Sequence, residues 1–296
     1  VMSDQGRTLI GSLDLKRPGV KIGYVIMVIF LTIVAIATLF PLLWVFISSV
    51  KSSAEIFRVP PSIIPKQFDW STYADVWSKF NFLRYFWNTI ILTLGIWIVQ
   101  MLVTTLAAYS LAKLKPPGHQ FILFGFLSAL MVPGLAMMIP KYMILKNIPL
   151  LGWNLLDSYW AFWLPAGANA FNILLLKTFF DGIPDDLVDA ATIDGATELR
   201  TFWQIILPLS KPIIATLTIF IFLGVWNDFM WPYIVLTTTE KQPLMVAIYN
   251  SVFKSAVFAQ NDIMAAIAIA TVPPIIVFFA LQKYIIRGVT LTGLKG

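Results

Sequence analysis

The side chains best suited to chemistry in this 296-residue chain form an acidic cluster. Between positions 181 and 200 a single base, Arg200, stands among six acids: Asp181, Asp185, Asp186, Asp189, Asp194 and Glu198. Carboxylates form short, charge-assisted hydrogen bonds with Arg and Lys side chains. The cluster therefore indicates a segment that docks to a protein with a basic-lined cleft.

Two other interpretations of this segment are an amphipathic helix on the bilayer surface and a solvated loop. Surface helices use Lys and Arg to meet anionic lipid headgroups. Six acids against one base would be repelled by an anionic leaflet. The charges favour docking to a protein, while a solvated loop stays open as the simpler alternative.

The acidic segment is predicted to form two short helices joined by a turn. Pro184 fits a helix start, and Asp194-Gly195 fits a stop, because Gly readily adopts the left-handed conformation at a helix end. Thr197 fits the N-cap of the second helix. Spacings of i, i+3 and i+4 predict one apolar face on each helix. These faces comprise Leu187, Ala190 and Ala191 on the first helix, and Leu199, Phe202, Trp203 and Ile206 on the second.

The composition of the whole chain indicates a polytopic membrane protein. Hydrophobic residues make up 58% and charged residues 12%, whereas a soluble domain is usually about 25% charged. The net charge of +6 comes without a basic stripe, so nucleic acid is not an expected partner. The absence of cysteine excludes disulfides, thiolate catalysis and zinc–thiolate sites. The single histidine, His119, lies in a predicted loop and is expected to be solvated.

Six stretches are apolar enough to cross a bilayer, which takes about 20 residues. We expect an all-α membrane protein with a cytoplasmic segment 1–22, a transmembrane domain 23–288 and a cytoplasmic tail 289–296. Lys16, Arg17 and Lys21 precede the first span, and such a basic cluster predicts that the N-terminus is cytoplasmic. Six spans then place the C-terminus on the same side. The predicted spans cover 23–47, 85–112, 120–140, 155–179, 212–236 and 263–286.

Asp228 is the only ionised residue well inside a predicted span, where a carboxylate costs about 2.5–3.5 kcal/mol on insertion scales. Such residues usually face a cavity or a partner. Its neighbours Trp226 and Asn227, with Asn169 and Asn172 in the fourth span, offer aromatic faces and amides that suit carbohydrates. These five residues are the candidates for a substrate path. The alternative is polar pairing between helices near the outer boundary, with the tryptophans as interfacial anchors.

The acidic segment also resembles the EAA loop of binding-protein-dependent ABC importers. That pattern reads E-A-A, three residues, G, nine residues, then I-x-L-P. One residue departs from it, Asp189 in place of Glu, which is one methylene longer. The stretches 107–118, 222–232 and 281–296 further resemble MalG-like permease subunits of sugar importers, so the resemblance covers about 20–296. The matching positions are Asp189, Ala190, Ala191, Gly195, Ile205, Leu207 and Pro208.

The resemblance implies a six-helix type I ABC importer permease in the bacterial cytoplasmic (inner) membrane, with 181–208 forming a coupling helix. It implies four partners: a homologous permease, an ATPase dimer, an extracytoplasmic binding protein and a saccharide. ATP and Mg would belong to the ATPase, since this chain has no G-x-x-x-x-G-K-[ST]. The chain would be a transport subunit embedded in lipid, not an enzyme. Its tail would contact the ATPase through Gly293, Leu294, Lys295 and Gly296.

Two other functional classes remain to be weighed. A self-contained channel or secondary transporter usually carries several intramembrane ionisable residues, and nothing in such a device requires an acidic docking segment. A membrane enzyme would need paired catalytic carboxylates or a histidine cluster in its spans. The substrate stays open between a neutral oligosaccharide, an anionic one such as an alginate fragment, and glycerol phosphate.

Overall fold

The structure is a computed structural model that describes the backbone of residues 18–255 and 257–292, and the side chains within 18–255 and 257–282. Within these residues every regular element is a helix. The predicted all-α character is therefore confirmed. Lys16, Arg17 and the four tail residues Gly293, Leu294, Lys295 and Gly296 lie outside the described residues.

The described helices differ greatly in length, and the shortest are single turns. Short π-helical segments, which have i→i+5 bonding, cover Ser110–Leu114, Phe202–Ile206 and Ile248–Phe253, and a 3₁₀ turn covers Thr239–Lys241. The α-helices are α1 (Pro18–Ser49), α2 (Ser53–Ile56), α3 (Ser71–Lys79), α4 (Phe82–Tyr109), α5 (His119–Leu130), α6 (Met138–Lys146), α7 (Trp160–Ala166), α8 (Ala170–Asp181), α9 (Asp185–Ile193), α10 (Glu198–Thr201), α11 (Leu207–Leu209), α12 (Lys211–Asn227), α13 (Met230–Val235), α14 (Leu244–Ala247) and α15 (Gln260–Thr292).

Three of the predicted spans are single helices that are long and apolar enough to cross a membrane. They run over Pro18–Ser49, Phe82–Leu114 and, for the residues with described side chains, Gln260–Gln282. Each begins a few residues before its predicted start. The pair Glu198–Leu209 and Lys211–Asn227 is bent by 77° and would make a fourth span if counted as one. A total of six spans stays a prediction.

The other three predicted spans are each interrupted, and the interruptions have local causes. In 120–140 the chain turns between α5 and α6 around Pro133 and Gly134. In 155–179 the break between α7 and α8 ends at Asn169, whose side chain accepts a hydrogen bond from the Asn172 amide at 3.0 Å. In 212–236 the break falls at Asp228. Asn and Asp side chains compete for backbone donors in this way, so an apolar stretch need not be one helix.

The contacts divide the described chain into two compact units. The first holds the residues up to Val76 together with Ala259–Ala268. In it α1 leaves its apolar stretch unburied, as expected for a helix that is hydrophobic all round and meets lipid. Asn261 joins the unit together, because it accepts a hydrogen bond from Ser53 at 2.7 Å and donates one to Thr72 at 3.2 Å.

The second unit holds Trp77–Phe258 and the residues from Ile269 onward. Its central element is α4, which packs against α7, α8, α12 and α14. One apolar core lies towards the C-terminal end of α4, and a second lies towards its N-terminal end. The first includes Ala108, Tyr109, Leu176, Phe180, Phe202, Ile206 and Leu217, and the second includes Leu92, Leu145, Phe162, Trp231 and Leu236.

The packing of α4 on α7 depends on a glycine. A Cβ atom built on Gly95 would lie 2.1 Å from Nε1 of Trp163, and that same Nε1 donates a hydrogen bond to the Leu92 carbonyl at 3.2 Å. We expect Gly95→Ala to lower the unfolding midpoint of the purified protein in detergent, because overpacking costs about 1–3 kcal/mol.

The matched control is Gly125→Ala in α5, where an added Cβ meets nothing within 4 Å. There the change should leave the midpoint unchanged or raise it slightly, since Ala is the better helix former by about 0.5–1 kcal/mol. An equal midpoint for both variants would contradict the described contact between α4 and α7.

Candidate functional site

The acidic segment folds as a helix–turn–helix with the boundaries that the sequence predicts. Helix α9 begins directly after Pro184 and ends at Ile193. Gly195 has φ +77°, and the chain is closed there by a hydrogen bond from the Ala196 amide to the Ala191 carbonyl at 2.9 Å. Thr197 caps α10 by accepting from the Arg200 amide at 3.4 Å. The predicted start, stop and cap are confirmed.

The predicted apolar faces of these two helices are only partly correct. On α9 the core side carries Val188 and the buried Ala191, whereas Leu187 and Ala190 are exposed. The expected face of Leu187, Ala190 and Ala191 is therefore wrong, because Val188 and Ala191, three residues apart, take the buried positions.

The second helix divides in a similar way. Phe202 and Ile206 are fully buried, but Leu199 and Trp203, which the sequence places on the same face, are exposed. The chain is π-helical over Phe202–Ile206. Its i→i+5 bonding changes the register of the side chains relative to an α-helix. Phe202 and Ile206 therefore face the core, whereas Leu199 and Trp203, predicted on the same face, point outward.

The outward side of the segment thus combines acids with large apolar side chains. We call it the docking surface. Leu199 is 64% exposed and Ile193 86% exposed, although both lie beside carboxylates. A surface of this mixed kind is typical of protein interfaces, whose apolar centre is rimmed by polar groups. The docking surface comprises Asp186, Leu187, Asp189, Ala190, Ile193, Asp194, Glu198, Leu199 and Trp203.

The segment is attached firmly to the end of α4. The Lys113 side chain is only 3% exposed and lies 2.6 Å from the Asp185 carboxylate. Its ammonium also donates to the Ile183 carbonyl at 2.6 Å. The hydrogen bond from Lys113 lowers the pKa of the Asp185 carboxyl below its ordinary value. One turn earlier, the Tyr109 hydroxyl donates to the Glu198 carboxylate at 2.9 Å. Both halves of the helix–turn–helix are therefore bonded to α4.

The seven positions of the EAA-like pattern fall into three groups. Asp189, Ala190 and Gly195 are exposed on or beside the docking surface. Ala191 is buried, and Ile205 and Leu207 are half-buried, so these three anchor the segment. Pro208 is exposed beside Ser210, where the chain bends by 77° into α12. The pattern thus combines residues that face outward with residues that fix the segment to the core.

A polar cavity of about 370 Å³ is the second candidate site. Two predicted substrate-path residues, Asn169 and Asp228, line it beside the two helix breaks, together with Gln100, Lys141 and Trp231. Its volume falls within the range of small-molecule sites, about 300–1,000 Å³. The Asp228 carboxylate, just before α13, accepts a hydrogen bond at 3.4 Å from the Trp231 amide in the first turn of that helix. Unwound backbone inside a membrane is tolerated where it lines a cavity, and both breaks fit that rule.

A second cavity of about 450 Å³ shares Gln100 and Asn169 with the first and is also lined by Asn172. Trp226 and Asn227 line neither cavity. Trp226 is fully buried and donates its indole N–H to the Ala270 carbonyl at 3.1 Å. The Asn227 amide donates to the Leu223 carbonyl at 2.8 Å, within its own helix. The structure therefore brings three of the five path candidates to the cavities, buries Trp226 in the packing and leaves Asn227 exposed.

Sequence reasoning missed Gln100, Lys141 and Trp231. A signal was present for Gln100, which is an amide in the middle of the apolar stretch "WIVQMLV". Lys141 directly follows the end of the predicted span 120–140, and nothing in the sequence associates it with Asp228. Among the described residues, no group of three or more His, Cys, Asp or Glu side chains could hold a metal ion.

Comparison with known proteins gives concordant matches. Residues 105–291 match the family model described as "Binding-protein-dependent transport system inner membrane component". Protein LplC of Bacillus subtilis (strain 168) is 34% identical over 282 residues, covering 91% of this chain and 93% of that protein. The diacetylchitobiose uptake system permease protein NgcG of Streptomyces coelicolor is 34% identical over 262 residues, covering 86% and 84%.

A solved structure is similar over nearly the whole chain. It is the crystal structure of a bacterial ABC transporter involved in the import of the acidic polysaccharide alginate, with a TM-score of 0.80 and 26% identity. The match covers 90% of this chain and 98% of that one. The family match covers more than half of the chain, and the relatives agree with it. This chain therefore belongs to the family of inner-membrane components of binding-protein-dependent transport systems.

Proposed function

We propose that this chain forms, with a second homologous permease, the path for ATP-driven uptake of an oligo- or polysaccharide. An extracytoplasmic binding protein delivers the substrate, and a partner ATPase dimer binds the ATP and Mg. The chain carries six spans, with both termini cytoplasmic, and residues 181–208 form the coupling element. Family membership and the functions given in the names of the relatives support this proposal.

The observation that carries the coupling role is the docking surface and its attachment. Exposed apolar side chains such as Ile193 and Trp203 need to be covered, yet the acids around them disfavour an anionic lipid surface. A protein cleft lined by Arg or Lys satisfies both requirements. Because Lys113 and Tyr109 bond the segment to α4, a displacement of the cleft is passed to the spans.

The substrate class rests on the names of the relatives and on the lining of the cavities. One relative is named for diacetylchitobiose uptake and the structural neighbour for alginate import. Amides and a carboxylate near an indole, as at Gln100, Asn169, Asp228 and Trp231, offer hydrogen bonds and an apolar surface to a sugar. A saccharide is therefore the substrate that we propose.

Asp189 tests the charge of the docking surface. We expect Asp189→Lys to reduce co-elution of the ATPase from detergent-solubilised membranes by about tenfold, because it replaces a charge-assisted contact with a repulsion. Uptake should fall with it. The control is Glu240→Lys, an exposed acid outside the segment. Equal ATPase retention by both variants, with normal uptake, would remove the coupling role from this surface.

Gly195 tests the geometry of the turn. With φ +77° a side chain is strained there even though an added Cβ meets nothing within 4 Å. Gly195→Val should keep the protein in the membrane but uncouple ATP hydrolysis from uptake, because β-branched residues disfavour positive φ. Gly195→Asn is the matched control, since Asn tolerates this conformation. Identical uptake-to-ATPase ratios for the two variants would show that the turn conformation does not aim the segment.

Lys113 tests the attachment to α4. Lys113→Met fills the same buried space without the ammonium, so the protein should insert and bind the ATPase while uptake per ATP hydrolysed falls. Lys115→Met is the control, because Lys115 carries the same charge two residues away but is exposed. Measuring uptake and ATP hydrolysis on the same proteoliposomes gives the ratio. Wild-type coupling in Lys113→Met would mean that the segment transmits its motion by another route.

The alternative function, a self-contained channel or secondary transporter, gives an opposite result in these assays. Such a protein would take up its substrate in proteoliposomes that contain no ATPase, and the docking-surface variants would not affect it.

A further inference from the structure

The polar cavity next to the helix breaks contains an ammonium that forms no close ion pair within the described residues. Lys141 is half-buried, and no carboxylate there lies within 4.0 Å of its Nζ. The contact that the structure gives this Nζ is the ring of Trp231, whose centroid is 4.3 Å away. Asp228 lines the same cavity and acts on Lys141 only from beyond ion-pair distance. Charges removed from water are normally paired directly, so the ammonium has room for a closer acceptor.

Two further polar groups of this cavity lack partners. The Gln100 side chain is 5% exposed and forms no hydrogen bond with any residue that the structure describes. The indole N–H of Trp231, in a side chain 8% exposed, likewise has no acceptor there. Buried polar groups in native proteins are hydrogen-bonded in about nine cases of ten. The buried Trp231 N–H, the Gln100 amide and the Lys141 ammonium thus line one cavity with hydrogen-bonding capacity that a polar ligand would use.

We propose that this cavity is a subsite for an acidic group on a polyhydroxylated substrate, with Lys141 as the recognising cation. The acidic group, a carboxylate or a phosphate ester, would pair with Lys141. The Asp228 carboxylate would accept hydrogen bonds from hydroxyls, and the Gln100 amide would donate or accept one. This inference rests on the proposed function, because it names the substrate class that the path selects.

The Lys141 ammonium is the point in the cavity where an acidic group would gain more than a hydroxyl, even though the Asp228 carboxylate balances the charge of Lys141. The attraction of a cation to an aromatic face is modest beside the cost of taking an ammonium out of water. A bound anion in direct contact would offset more of that cost, since hydrogen bonds between charged groups are the strong ones. An uncharged sugar would bring hydroxyls, which form weaker hydrogen bonds with the ammonium.

The competing explanation is internal. Lys141 and Asp228 could close on each other as an ion pair in another conformation, without any role in selection. In that case the removal of Lys141 would affect assembly or the transport of every substrate alike. The two explanations therefore differ in whether the effect depends on the charge of the substrate.

The test uses the whole transporter, reconstituted with its ATPase, second permease and binding protein. The readout is the substrate concentration for half-maximal ATPase stimulation. The probes are oligogalacturonate, its uncharged methyl ester, an alginate oligosaccharide, sn-glycerol 3-phosphate and diacetylchitobiose. Each variant is compared with wild type on the same probe. The affinity of the binding protein for that probe is then the same in both measurements and does not affect their ratio. The alginate and glycerol phosphate arms separate a carboxylate from a phosphate.

We expect Lys141→Gln to raise the half-maximal concentration about tenfold for the acidic probe that stimulates wild type, and to leave the methyl ester unchanged. Lys141→Arg should keep the half-maximal concentration for the acidic probe close to the wild-type value, because the positive charge is kept. Lys146→Gln is the control on the same helix, as Lys146 is exposed. If Lys141→Gln lowers the yield of the complex, Gln100→Glu replaces it, because a carboxylate there would repel acidic probes selectively.

Three results would overturn the inference. An equal shift for the acid and its ester would assign Lys141 a structural role. Stimulation of wild type by diacetylchitobiose or the ester alone would exclude an acidic substrate while leaving the proposed function intact. No stimulation by any probe, in a complex that hydrolyses ATP, would count against the proposed function itself and remove the inference with it.

Discussion

The contacts of the buried Lys113 side chain are the interaction on which the attachment of the acidic segment depends. It bonds to a carbonyl just before α9 and to a carboxylate in the first turn of α9. A cation whose side chain is only 3% exposed resists loss of its two oxygen partners, because water can replace them only in part. The end of α4 and the start of the docking segment are therefore expected to move as one body.

The position of α4 turns this local bond into a connection with the rest of its unit. The helix packs against α7, α8 and α12, and Gly95 brings the Trp163 ring close to its backbone. Close-packed interiors transmit displacement rather than absorb it. Under the proposed coupling role, a shift of the docking segment would be carried along α4 towards the breaks in its neighbours, where the polar cavity lies.

The sequence predicts those features of the site that local chemistry decides. Pro184, Gly195 and Thr197 act through their own backbone or a neighbour three residues away, so their roles could be assigned from type and order. The outward turn of Leu187 could not, because it depends on Val188 packing against a core that is assembled from distant segments. Gln100 and Lys141 were missed for the same reason. Nothing near either residue in the chain indicates that they meet at one cavity.

The helix breaks show that hydropathy predicts an apolar stretch of the right length but not whether that stretch is one continuous helix. Each interrupted stretch has the apolar length of a span, but in two of the three a single Asn or Asp offers its backbone an alternative hydrogen bond, and in 120–140 the chain turns at Pro133 and Gly134. Asn169 and Asp228 each accept a hydrogen bond from the backbone of the helix that follows, and they also line the cavity that the breaks create. From the sequence, a structural role and a role in lining the substrate path were alternatives for these residues. In the structure, the hydrogen bond that each side chain accepts from the backbone also holds it at the cavity.

Three lysines with partly or fully buried side chains differ in what surrounds their ammonium groups, and this difference separates a structural role from a functional one. Lys113 has a carbonyl and a carboxylate. Lys51, almost fully buried, has the Ser62 carbonyl and the face of Trp44. Lys141 has a ring face but, within the described residues, no oxygen acceptor for its ammonium. The first two are satisfied by the fold alone, so their positions need no further explanation. The third is not, and the missing acceptor is what a transported acidic group would supply.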